Sequence, residues 1–111
     1  MASQKPTLNV ILSPGVNDQL KEIWRWNSQR YDASHADEYL DFLKSKINAL
    51  STEYPNGKRV NGRSHLRYMI IKRKSGGHGH IAVFSLEAGA IYLIYVFHTA
   101  QDWRTKLLNE E

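Results

Sequence analysis

The chain has 111 residues, a formal charge of +4 and a pI of about 9.4, with 41% hydrophobic and 23% charged residues. That balance fits one soluble globular domain, residues 1–111, with a modest core. The absence of cysteine excludes disulfides and thiolate chemistry, in keeping with a reducing cytoplasm. No run reaches the roughly 18 uncharged apolar residues of a membrane span, and the N-terminus carries no signal-peptide pattern. The positive charge suits an acidic or nucleic-acid partner, or solubility alone.

Residues 1–6 read as a loose leader. Residues 7–12 alternate as a strand, with Leu8, Val10 and Leu12 on one face and Asn9 and Ile11 on the other. Ser13 then serves as N-cap and Pro14 as first residue of a helix running to about Arg30. Val16, Leu20, Ile23, Trp24 and Tyr31 share its apolar stripe. Trp26 falls off that stripe and is free for a contact. After a tight connection at 31–34, Ser34 caps a second helix with Asp37 and Glu38 in its first turn. Its stripe is Ala36, Tyr39, Leu40, Leu43, Ile47, Leu50 and Tyr54, and Pro55-Asn56-Gly57 stops it. Two long helices joined by few residues predict an antiparallel hairpin.

Residues 58–64 read as a basic, polar loop, 66–71 as a strand, 72–79 as a glycine-rich turn and 81–86 as a strand. A hairpin turn at 87–90 leads into Ile91-Tyr92-Leu93-Ile94-Tyr95-Val96-Phe97, an uncharged run that predicts a central strand buried on both faces. His98 ends that strand. Thr99 is placed to cap a short terminal helix, with Asp102 near the positive end of its dipole and Trp103 folding back onto the sheet. The fold class is α+β. A helix hairpin packs on one face of a mostly antiparallel four-stranded sheet that the first strand joins by a crossover, and a short C-terminal helix follows.

Between residues 58 and 74 the chain carries Lys58, Arg59, Arg63, Arg67, Lys72, Arg73 and Lys74 and no acid. Such a run suits a face that binds phosphates or an acidic protein segment, with Tyr68 able to stack on a base. Cationic residues also guard sheet edges against aggregation. His78-Gly79-His80 resembles a metal-ligand pair but lacks a third ligand at sensible spacing, so no metal and no cofactor are assigned. His98, with an unperturbed pKa near neutrality, is either an acid–base group or a strand-end imidazole bonded to backbone.

A hydrophobic strand ending in Val96-Phe97-His98, followed by Gln101-Asp102-Trp103, resembles the C-terminal signature of the ParE branch of the RelE/ParE toxins. Leu12-Ser13-Pro14 with Leu20 and Ile23-Trp24 resembles that family's opening. Tyr54-Pro55, followed by a Gly, a basic residue and Leu66-Arg67-Tyr68, agrees as well, and the order of elements is the family's. The resemblance implies a toxin encoded beside a cognate acidic antitoxin that neutralises it, the two forming a hetero-oligomer. For the ParE branch it implies poisoning of DNA gyrase, growth inhibition and plasmid stabilization. For the RelE branch it implies cleavage of ribosome-bound mRNA, a metal-free reaction for which Arg67, Lys72, Arg73 and His98 are the available parts. Thr99 stands where a cleaving branch often places Tyr, and the sheet strands carry no obvious acidic general base. A third reading is a degenerate member that binds an antitoxin and poisons nothing. The residues expected to meet a target or an antitoxin are Trp26, Lys58, Arg59, Arg63, Lys72, Arg73 and Lys74.

Overall fold

A computed structural model describes residues 6–73 and 78–109. Lys74 and most of the expected leader lie outside the described residues. The order is β1 (Asn9–Leu12), α1 (Pro14–Arg30), α2 (Ala33–Glu53), a single 3-10 turn (Tyr54–Asn56), β2 (Lys58–Val60), β3 (Arg63–Ile71), β4 (His80–Glu87), β5 (Ala90–His98) and α3 (Trp103–Asn109). The strands form one mixed sheet in the order β1-β5-β4-β3-β2, in which β1 runs parallel to β5 and every other pair is antiparallel. β1 reaches the sheet edge through the α1–α2 hairpin, the crossover that a parallel pairing demands.

The sheet has five strands, not four. The basic stretch expected to be a loop contains β2, whose Lys58 and Arg59 pair with Tyr68 and Arg67, and β3 already begins at Arg63. The strand is hidden in the sequence because an edge strand exposes most side chains, and only Val60 of β2 is buried. The middle strand is β4, whose first six residues are buried, whereas β5 lies between it and β1. The β4–β5 turn is as expected: Ala88 and Gly89 have φ of 49° and 77°, the left-handed pair of a two-residue hairpin.

Two cores result from strand alternation. Val16, Leu20, Leu43, Ile47 and Leu50 of the hairpin pack with Ala82, Phe84, Ile91, Leu93 and Val96. On the opposite face Ile81, Val83, Leu66, Val60 and Phe97 receive Trp103 and Leu107 of α3. Trp103 is only 5% exposed, so it docks the last helix as its position suggested.

The helix starts differ from expectation. Ser13 occupies the N-cap of α1, but its hydroxyl donates to the Ile94 carbonyl at 3.2 Å and makes no cap bond. Asp32, not Ser34, caps α2 by accepting from the His35 amide at 2.7 Å, so Asp37 and Glu38 lie beyond the first turn. Thr99 is not a cap either, since α3 starts four residues later, at Trp103. Ile94 is an extra residue at a bulge, because Val83 and Phe84 pair with Tyr95 and Leu93. Two residues past the bulge, beyond the end of β1, the Val96 N–H donates to Gln19 Oε1 of α1 at 2.7 Å.

Candidate functional site

At the end of the sheet where β4 begins and β5 ends, the α1–α2 hairpin overhangs an open groove of about 1610 Å³. Its α1 wall carries Trp26 and Arg30, its α2 wall His35 and Tyr39, and its floor His80 and His98. His80 opens β4 and His98 closes β5, and antiparallel register makes them direct cross-strand partners. Cross-strand partners share a face. His80 also pairs with Ile71, a member of the core beneath the hairpin, so both imidazoles lie under the helices. Trp26 is 52% exposed, with Arg30 over its ring at 5.2 Å and His98 6.4 Å away.

The histidines form one cluster. The His98 ring lies 5.2 Å from His80, edge to face, and 5.4 Å from His78. Tyr39 Oη and His80 Nδ1 are 2.5 Å apart. His98 Nδ1 accepts the Ala100 N–H at 3.0 Å, which leaves the proton of the neutral ring on Nε2. The His98 amide donates to Gln101 Oε1 at 2.8 Å. Beyond it, Thr99 and Gly79 are doubly bonded. The Thr99 amide donates to the Gly79 carbonyl and the Gly79 amide to Thr99 Oγ1, each at 3.0 Å. A Cβ at Gly79 would stand 2.2 Å from the Ile71 carbonyl oxygen, so only glycine permits this approach.

Burial pushes His80 down to about 4, helped by the charge of His98. His98 is lowered too, by burial first and by His78 second. Burial raises Tyr39 to about 12, against the opposing pull of the Arg73 guanidinium. At neutral pH the groove floor is therefore a set of uncharged donors and acceptors. Among the described residues no group of three His, Asp or Glu is arranged to hold a metal ion.

The structure brings some of the expected site residues together and separates others. Trp26, Arg73 and His98 line the groove, and Arg73 extends over the Phe42 ring at 5.8 Å. Arg67 pairs with Phe84 and Arg59, on the hairpin face but four residues along β3 from Ile71. At about 3.3 Å per residue and roughly 5 Å per strand, Arg67 stands on the order of 15 Å from His98. Lys58 pairs with Tyr68 on the opposite face, where Arg104 of α3 donates to Tyr68 Oη at 3.1 Å. Arg63 faces Val60 across the β2–β3 turn, and Lys72 is exposed beyond the end of β3. Strand alternation thus divides the basic run between two faces of the sheet.

Sequence reasoning missed Tyr39, read as core at helical spacing, and His80, weighed as half of a metal-ligand pair. The missed signal was register. A hairpin turn at 87–90 brings the residues preceding one strand beside those ending the next, and so sets His80 against His98.

An α+β domain with a helix hairpin over one end of a mixed sheet is the frame these features share. The model of the family described as "ParE toxin of type II toxin-antitoxin system, parDE" matches residues 10–103, and the chain belongs to that family. The fold is similar to that of a chain from the chromosomal ParDE TA system from P. aeruginosa, with a TM-score of 0.70 and 12% identity over 82% of this chain and 95% of that one. No curated protein matches the sequence. Among the described residues no helix is long and apolar enough to cross a membrane.

Proposed function

We propose that this ParE-family chain poisons DNA gyrase in the cytoplasm and is neutralised by an acidic antitoxin. The observation that favours this over RNA cleavage is the distance between Arg67 and His98. A metal-free ribonuclease needs base, acid and cations around one phosphate. Here the backbones of Arg67 and His98 stand on the order of 15 Å apart across a continuous sheet. Among the described residues no carboxylate hydrogen-bonds His80 or His98, an arrangement better suited to contact than to phosphoryl transfer. Trp26, exposed on α1 beside His98, supplies a large aromatic anchor of the kind that dominates protein interfaces.

The antitoxin segment is placed against the hairpin and the Lys72–Arg73 end of the sheet, its carboxylates facing Arg73 and Arg30. Its affinity is expected to fall with added salt.

The test is supercoiling by purified gyrase with and without the folded protein, scored for cleaved DNA. Cleaved complexes at stoichiometric protein are the expected result. Uninhibited gyrase would refute the reading and shift attention to ribosome-bound mRNA. Unimpaired growth on expression without antitoxin, with the protein soluble, would reduce its role to antitoxin binding.

A further inference from the structure

Four of the five histidines of the chain, His35, His78, His80 and His98, line one groove. The permanent charges around it are Asp18, Glu22 and Arg30 from α1, Arg73 from the segment after β3, and Lys106 from α3; α2 contributes His35 and Tyr39. Glu22 is engaged by Arg25 on its own helix. The balance is nearly even while the imidazoles are neutral and strongly positive once they are charged. Of the four, His98 is the one suited to respond to a ligand. His80 is 7% exposed and tied to Tyr39, and His35 lies against the Tyr31 ring with centroids 4.2 Å apart. His98 is partly open, its ring is fixed by the Ala100 amide on Nδ1, and Nε2 remains as a donor beside Trp26.

We propose that the groove makes antitoxin capture proton-linked, a carboxylate of the acidic segment being held by His98 in its protonated form. The inference rests on the antitoxin reading above and adds a residue and a stoichiometry to it. In the free toxin, partial burial first and proximity to His78 second oppose a charge on His98. A carboxylate arriving at Nε2 reverses that balance, so the ring takes up a proton as the complex forms. Binding coupled to uptake of one proton tightens about tenfold for each unit of pH lowered across the window between the free and bound titrations. His78 sets the lower edge of that window by repulsion. Removing it moves the free His98 titration upward and narrows the window.

The experiment uses the toxin with the antitoxin encoded beside its gene. Affinity is measured from pH 5 to 8, and proton uptake is counted by calorimetry in two buffers of different ionisation enthalpy. The expected result is net proton uptake, at most one per complex, that appears as pH is lowered through this range. His98→Gln should abolish the uptake and flatten the pH dependence. His78→Gln, a change on an exposed segment that leaves the His98 backbone contacts in place, should keep the uptake but shift it to higher pH. Uptake unchanged in His98→Gln, or a wild-type affinity independent of pH, overturns the proposal while the antitoxin reading stands. Failure of the two proteins to associate at any pH overturns both.

Discussion

His80 makes the stability of this toxin depend on acidity in a way that can be isolated. In the unfolded chain its imidazole binds a proton near 6.5, whereas in the fold it does so only at about 4, because burial disfavours the charge and His98 adds to the penalty. The sign follows from which state holds the proton. Above 6.5 neither state does, and the full stability is present. As pH falls toward 4 the unfolded chain is protonated first, so stability is lost through that interval. At about 1.4 kcal/mol per pH unit, the whole interval is worth about 3 kcal/mol, and about 2 kcal/mol is gone by pH 5. Against a total of roughly 5–15 kcal/mol, that is a large share. His98 acts in the same direction, so the two must be separated by mutation. Urea denaturation at pH 7.5 and pH 5, at constant ionic strength, should show the wild type losing that stability and His80→Gln losing much less. Reading at pH 5 limits the contribution of carboxylates, which titrate lower. Equal losses in the two proteins, or an NMR titration of His80 with a midpoint near 6.5, would refute the reasoning.

The other expectations concern how the frame of the groove is held. Gln19→Leu leaves the Val96 N–H of β5 without its acceptor, and should cost about 1–3 kcal/mol by thermal denaturation. Trp103→Ala removes the side chain that seals the second core, beside Tyr68 at 4.8 Å, and should cost about 3–5 kcal/mol in urea. At Gly57 a Cβ would meet the Phe84 ring at 2.6 Å, and that ring is fully buried. Gly57→Ala should therefore destabilise by about 1–3 kcal/mol, and a variant as stable as wild type would show that the ring can shift freely.

Most of the fold was legible because its signals are local. Helical spacing of Val16 and Leu20, and of Leu43, Ile47 and Leu50, marks buried faces that the structure retains. What was not legible depended on pairing. The residues of β2 look like any basic loop until Arg67 and Tyr68 are seen opposite them. Ser34 and Thr99 have the chemistry of caps, but Asp32 captures the His35 amide in the first turn of α2, and Thr99 is held by Gly79 beyond the strand ends. A cap is chosen by where the helix is made to begin, and tertiary contacts decide that.

The same distinction governs the site. A charge run along a sequence suggests one electrostatic surface, yet successive residues of a strand point to opposite faces. Arg59 and Arg67 therefore stand beneath the end of the hairpin, while Lys58 joins Tyr68 and Arg104 on the other side. The histidines behave in the opposite way. His78, His80 and His98 are separated by 20 residues of hairpin, and His35 by a further 43, yet antiparallel register and the overhang of the helices gather them in one groove. Most of the basic run is thus dispersed, while Trp26, Arg73 and these histidines converge. Trp26, Arg73 and His98 line that groove, with Tyr39 and His80 forming the floor on which His98 rests.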